Sequence, residues 1–214
     1  MLYGITINST DTLSTYGLML CADLKIGQPK LKANRVNIPG GDGSLNMSYS
    51  PQGMAVFEDR TISGTLFKAV GEADRDDLVV TLRNAWHGQE VNLTLPNDTT
   101  HYWHGVIEFG EVSGYNKGNI PFTMTAAPYR LKSTETTVSK AISTSGTVTL
   151  TNERMPVCPT VTTTAAVTLA WGDYSVSINA GTHTIPQLVL GAGSTTITVT
   201  GSATVTFVYR EGSL

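Results

Sequence analysis

The sequence predicts a mainly β protein of two domains: an N-terminal β-sandwich-like domain carrying one α-helix, then a C-terminal antiparallel β-sandwich. Three observations lead there. Short apolar runs alternating with polar residues recur along nearly all of the 214 residues, the period of half-buried strands. Charged residues make up only 14% of the chain, against roughly 25% in ordinary soluble proteins, and Thr, Ser and Gly take their place. The charges also thin out after residue 130: only Lys132, Lys140, Arg154 and Arg210, with Glu135, Glu153, Asp173 and Glu211, lie beyond it, out of 14 basic and 17 acidic residues in all.

That change in composition sets the expected domains at 1–130 and 131–214. Pro128-Tyr129-Arg130 is followed by Lys132-Ser133-Thr134-Glu135-Thr136-Thr137, a polar stretch without a core face, which reads as a linker or domain-entry segment.

In the first domain the alternating sets are Tyr3, Ile5 and Ile7; Leu18 and Leu20; Val36 and Ile38; Leu45, Met47 and Tyr49; and Ile62 with Leu66. Each is expected to form a half-buried strand. Val91-Asn92-Leu93-Thr94-Leu95 runs into Pro96-Asn97-Asp98 and then His101 to Ile107, the turn chemistry of a hairpin. A single helix is expected after Asp74, Asp76 and Asp77, whose carboxylates suit a helix N-terminus. Leu78, Val79, Leu82, Ala85 and Trp86 fall on one face, and Gly88 offers a left-handed stop.

The second domain reads as strands throughout: Val148 and Leu150; Val157 to Val161; Val167 and Leu169; Tyr174, Val176 and Ile178; Leu188 and Leu190; Ile197 and Val199; Val205, Phe207 and Tyr209. Gly172-Asp173, Ala180-Gly181, Gly191-Ala192-Gly193 and Gly201-Ser202 divide them at sandwich-like spacing.

No chemistry-bearing constellation stands out, and the chain is expected not to be an enzyme and to need no cofactor or metal. Glu72, Asp74, Asp76 and Asp77 lack the alternating ligands and terminal Glu of a calcium loop. His101 and His104, three apart on a strand, point to opposite faces. Ile38-Pro39-Gly40-Gly41-Asp42-Gly43-Ser44-Leu45 is Gly-rich, but a strand follows it where a phosphate loop needs a helix and a Lys. No Gly-x-Ser-x-Gly elbow occurs. Cys21 and Cys158 are expected to be buried thiols. Trp86, Trp103 and Trp171 are core or interface rings, with sugar stacking the alternative.

The net charge of −3 leaves no basic stripe for nucleic acid. No apolar run approaches the roughly 20 residues that cross a bilayer, and Met1-Leu2-Tyr3-Gly4-Ile5 lacks a signal-peptide layout. The expectation is synthesis in the cytosol and no membrane insertion.

The order of local words resembles the distal tail proteins of long-tailed bacteriophages. The words are Tyr3-Gly4-Ile5, Tyr16-Gly17-Leu18, Ile38-Pro39-Gly40-Gly41-Asp42-Gly43, Phe57-Glu58-Asp59-Arg60-Thr61-Ile62, the single helix, Pro128-Tyr129-Arg130, and a last strand Val205-Thr206-Phe207-Val208-Tyr209-Arg210. Gly41 stands where relatives often carry a long side chain in the turn. The resemblance implies a galectin-like C-terminal sandwich and a virion protein of the phage tail. It also implies a homo-oligomeric ring, six-membered, at the distal end of the tail tube, contacting tail-tube and tail-tip or baseplate proteins. DNA would pass through the channel without specific binding, and the acidic bias of the first domain would suit that lumen. Another tail-tube or baseplate subunit, or a glycan-binding adhesion module, are the competing readings.

Overall fold

The computed structural model describes residues 3–49, 53–68, 72–112 and 118–214, the side chains of residues 72, 73 and 75 excepted. The expectations for Met1, Leu2 and the Glu72 carboxylate therefore lie outside the described residues. The chain divides into two units, Met1–Arg130 and Leu131–Leu214, and is mainly β, with curled antiparallel sheets.

In the first unit the strands are β1 (Thr6–Ile7), β2 (Thr10–Asp11), β3 (Met19–Leu20), β4 (Lys25–Ile26), β5 (Arg35–Asn37), β6 (Ser44–Asn46), β7 (Arg60–Phe67), β8 (Gln89–Leu95), β9 (Asp98–Phe109) and β10 (Asn119–Ala126). The strands β1 to β6 are so short that turn chemistry, more than propensity, decides where they start. The hydrogen-bonded order is β2-β1-β8-β9-β10-β7-β3, with β4 also on β7 and β5 paired only with β6. The long central strands alternate cleanly: Ile62 and Leu66 of β7, Val91, Leu93 and Leu95 of β8, Ile107 and Phe109 of β9, and Ile120, Phe122 and Met124 of β10 are all buried in one core. β8 and β9 form the expected hairpin, with a register shift between Leu93 and Leu95.

Two helices are present among the described residues, where one was expected. α1 (Thr12–Tyr16) is five residues long, too short to show periodicity, and Thr, Ser and Tyr are weak helix formers. Its ends specify it. The Asp11 carboxylate accepts from Ser14 N at 2.6 Å, and Gly17 at φ 69° closes it, its N–H donating to the Leu13 carbonyl while Leu18 N donates to the Thr12 carbonyl. Thr12 is fully buried, its Oγ1 accepting from Ile5 N at 3.0 Å.

α2 (Glu72–Trp86) lays Val79, Leu82 and Trp86 into the core, with Leu78 packed at its margin; each fully buried side chain of this size contributes about 2 kcal/mol. Ala85, expected on that stripe, is exposed, because it falls at the edge of the buried arc, where its single methyl leaves it open. Gly88 adopts the expected left-handed stop at φ 71°.

The second unit holds β11 (Arg130–Lys132), in which the unit boundary falls, then β12 (Thr136–Ile142), β13 (Ser145–Asn152), β14 (Thr160–Thr163), β15 (Val167–Trp171), β16 (Tyr174–Ile178), β17 (Gly181–Thr184), β18 (Gly193–Thr200), β19 (Ala203–Tyr209) and β20 (Gly212–Ser213). Two four-stranded sheets, β12-β19-β14-β17 and β13-β18-β15-β16, enclose one core that includes Val148, Leu150, Leu169, Ile197, Val199, Val205 and Phe207.

Thr136 and Thr137 belong to β12 rather than to a linker: they pair with Tyr209 and Val208, an edge position that needs no apolar face. Leu188 and Leu190 are fully buried without a full strand, held by the Val157–Leu190 bridge. Tyr174 is exposed rather than half-buried.

Candidate assembly surface

Between the β4 and β7 strands the chain leaves the sheet and returns as an arm. β5 and β6 form its hairpin, in the register Arg35↔Asn46, Val36↔Leu45 and Asn37↔Ser44. Ile38-Pro39-Gly40-Gly41-Asp42-Gly43 makes the turn, as expected, with Gly40 at φ 77° and Gly43 at φ 80°, conformations that suit glycine. Lower down, Lys32 N donates to Val56 O and Glu58 N to Lys30 O, both at 2.8 Å, so a third segment zips onto the first. Ser48 is buried and accepts from Asn34 N through its Oγ at 2.9 Å.

The register makes this hairpin amphipathic. Val36 and Leu45 face each other on one side, Arg35, Asn37, Ser44 and Asn46 lie on the other, and Ile38 and Met47 extend the apolar side by the period of two. These runs were expected to be half-buried. Instead Leu45 and Met47 are each 55% exposed, and Leu31, Val36, Ile38, Tyr49 and Val56 are exposed with them. Alternation is present; the layer that should cover it is not supplied by the described residues of this chain.

Both roots of the arm are fixed. On the outgoing side β4 pairs with β7 through Lys25↔Ser63 and Ile26↔Ile62. Gly27 N then donates to Thr61 O at 2.8 Å, an approach in which any Cβ on Gly27 would stand 2.9 Å from that oxygen. On the returning side, Phe57 packs edge-on against Tyr129 with centroids 6.0 Å apart. Arg60, only 4% exposed, donates through Nη2 to Pro128 O at 2.6 Å and lies over the Trp103 ring at 4.4 Å. Two words far apart in the sequence, Phe57 to Arg60 and Pro128 to Arg130, thus meet in space and clamp the arm.

Beside the clamp, Asp98 accepts from Thr100 Oγ1 at 2.8 Å and from Arg130 Nη1 at 2.9 Å, with His101 Nδ1 within 3.1 Å. Burial raises the Asp98 pKa, but the hydrogen bonds from His101 and Thr100 outweigh it and hold the carboxyl at about 2. Burial lowers the Arg60 guanidinium pKa, and the neighbouring Arg130 charge adds to that. Arg60 Nε and His101 Nε2 are buried without a protein partner among the described residues. A pocket of about 70 Å³ lined by Ile26, Leu95, Asn97, Asp98, His101, Trp103 and Arg130 has room for a couple of waters and no larger ligand.

The remaining sequence candidates scatter. His104 Nδ1 meets Asn92 Oδ1 at 2.9 Å, well apart from the His101–Asp98 pair, and the described residues contain no group of three His, Cys, Asp or Glu able to hold a metal. Asp74 and Asp77 lie on the exposed side of α2. Cys21 and Cys158 are partly exposed rather than buried, because Cys21 flanks an edge strand and Cys158 an isolated bridge; burial still raises both thiol pKa values, with Asp23 adding to the effect at Cys21. Trp86, Trp103 and Trp171 are all buried, and Trp171 stacks on the exposed Tyr174 at 5.7 Å. Among the described residues no helix is long and apolar enough to span a membrane.

No protein-family model matches the sequence, and a search of curated proteins finds no match. Among solved structures the fold is that of the Dit (gp 19.1) protein of phage SPP1, described as a paradigm of the hub adsorption apparatus in phages infecting Gram-positive bacteria. The likeness has a TM-score of 0.64 at 14% identity and covers 98% of this chain and 99% of that one.

Proposed function

We propose that this chain is a structural protein of a phage tail, a distal tail subunit whose copies close into a ring, six-membered, at the end of the tail tube. There it joins the tube to the tail tip or baseplate and surrounds a channel through which DNA leaves without specific binding. The fold shared with SPP1 Dit over 98% of the chain supports the tail assignment. The observation that carries assembly is the arm. Its apolar face cannot stay in water in a finished particle, since exposed apolar patches of this kind mark interaction sites, and a hairpin that reaches away from its own core suits a heterologous contact, the type that closes rings. No step in this reading requires a catalytic side chain, cofactor or metal.

Arg60 is buried in the clamp, so it does not place a positive charge on a channel wall, in keeping with a lumen that repels DNA. The C-terminal sandwich, read as galectin-like, is the peripheral part. The glycan reading is weakened because Trp171 is covered and leaves only Tyr174 open.

The test is sedimentation and negative-stain imaging of the full chain beside a variant with Val36→Ser, Leu45→Ser and Met47→Ser. Rings from the unmodified chain and monomers from the variant are expected. Stacked tubes would favour the tube-subunit alternative, and equal assembly by both proteins would remove the arm from the interface.

A further inference from the structure

On the β13-β18-β15-β16 sheet of the second unit lies an open cavity of about 240 Å³, lined by Thr168, Ser177, Asn179 and Thr200 with Ala166 beside them. We infer that this cavity binds a single neutral sugar ring, through hydrogen bonds and without aromatic stacking. The inference goes beyond the assembly reading and does not depend on it, because the cavity lies wholly within the second unit.

The register of the sheet gathers the polar groups. Thr200 pairs with Thr168, and Thr168 with Ser177, so three neighbouring strands each place one hydroxyl in a single row about 4.8 Å from strand to strand. The Thr168 and Ser177 hydroxyls are 2.8 Å apart and bonded to each other. Such a pair keeps one O–H and several lone pairs free, a donor and an acceptor side by side, which two adjacent hydroxyls of a sugar complement. Asn179, exposed at the end of β16, adds an amide that both donates and accepts.

The surroundings hold these groups in place. Gly201, at φ 133°, runs so close to the cavity edge that a Cβ on it would stand 2.9 Å from Ala166 O. Its N–H donates to Thr144 O at 2.8 Å. Across the cavity, His183 Nε2 lies 2.8 Å from Asn179 O, and a carbonyl can only accept, so the ring nitrogen donates and ties down the Asn179 backbone. A site whose polar groups are fixed in advance loses less freedom when it binds.

Charge and size then define the ligand. Among the described residues no charged side chain lines the cavity. Five of those in the unit, Lys132, Glu135, Glu153, Arg210 and Glu211, are paired with one another. A phosphate or carboxylate would find no counter-charge here, whereas hydroxyls find partners of their own kind. At more than three times the volume of the pocket beside Asp98, about 70 Å³, the cavity has room for one sugar ring, its open side left to the neighbours in a longer glycan. Trp171 and Tyr174 face each other at the opposite end of the β15-β16 hairpin and line no part of it. Without a stacking ring the expected affinity is low, a dissociation constant of about 1–10 mM.

The test is a titration of the full chain, isotope-labelled and followed by its backbone amide resonances. The probes are methyl glucoside, methyl galactoside and N-acetylglucosamine, each up to about 50 mM, well above that range. Inorganic phosphate and glycerol 3-phosphate serve as charged comparators. At least one neutral sugar should give saturable shifts confined to residues 166–168, 177–179 and 200, and the charged probes should give none there. Ser177→Tyr fills the cavity from an exposed strand position that suits Tyr and should weaken binding at least about tenfold. Thr168→Val keeps the shape, removes the hydroxyl, and should weaken it about fivefold.

No saturable shift with any of the three sugars would overturn the inference, as would shifts centred on Tyr174, or either variant binding as the parent does. Equal shifts from the phosphates would remove the neutral class. None of these results touches the assembly reading, which stands or falls by sedimentation.

Discussion

Replacing Arg60 with Met is the sharpest probe of the clamp at the root of the arm, because Met keeps the aliphatic stem and removes only the charged head. Two interactions are lost. The 2.6 Å hydrogen bond to Pro128 O is charge-assisted and buried, worth about 2 kcal/mol with its acceptor left unsatisfied. The 4.4 Å stacking over Trp103 adds about 1 kcal/mol. Against these stands the cost of holding a guanidinium in a site 4% exposed, with Nε unpartnered and Arg130 nearby, and its relief returns about 1 kcal/mol. The net expectation is a loss of about 2 kcal/mol in the first unit.

The assay is urea unfolding read by Trp fluorescence in a Trp171→Phe background, which leaves Trp86 and Trp103, both in that unit, as reporters. With a slope of about 2 kcal/mol per molar urea the midpoint should fall by about 1 M. Arg60→Lys, which keeps charge but not the planar fork, should fall by about half as much. An unchanged midpoint for Arg60→Met would show that the guanidinium's burial cancels its contacts, and the clamp would have to rest on Phe57 and Tyr129 alone.

Three further predictions concern single sites. Because the Asp98 pKa in the folded chain, about 2, lies below its unfolded value, the stability it contributes is complete above about pH 4 and is lost as the pH falls from about 4 toward 2. Screening at this partly open carboxylate limits the loss to about 1 kcal/mol, and Asp98→Asn should remove that part of the acid sensitivity in calorimetry. Gly105→Ala would set a Cβ 2.1 Å from Thr125 O and 2.6 Å from Ala126 Cα, so it should force β9 and β10 apart and cost about 3 kcal/mol or more in thermal melting, whereas Gly40→Ala, in open space at φ 77°, should cost about 1 kcal/mol. Tyr209→Phe removes the 2.6 Å bond from its hydroxyl to Thr151 O and should lower the stability of the second unit by about 1 kcal/mol, seen as a lower-temperature transition in calorimetry of the full chain.

How far such features can be read beforehand depends on their range. Most strands of the second unit were legible because Thr and Ser alternate with Val, Leu and Ile, as in Thr147 to Leu150 and Thr196 to Val199, and period two is a local signal; β12 and β17 were not, since Thr136-Thr137 and Gly181 to Thr184 show no run of apolar residues. α2 was legible for the same reason at period 3.6. α1 was not, since its information lies in Asp11 and Gly17 and not in the five residues between them.

The arm was half legible. Val36, Ile38, Leu45 and Met47 announce strands, but alternation reports an apolar face and says nothing about whose surface will cover it. Least visible was the clamp. Arg60 and Pro128 stand 68 residues apart, and only the folded path of β7 and β10, paired from Arg60↔Ala126 to Phe67↔Asn119, shows why the returning arm and the end of the unit must coincide.

The glycine turn at the tip of the arm has nothing within 4 Å of the positions where Gly40 and Gly43 would carry a Cβ. Both roots, by contrast, are tied to the sheet. Residues can therefore be added or exchanged at the tip without a new constraint on the domain, at a loop-closure cost that grows only slowly with length. The tip is then the natural place to graft an epitope tag or a fluorophore site, and the same freedom gives natural selection a way to retune reach between neighbours while leaving the folded body untouched.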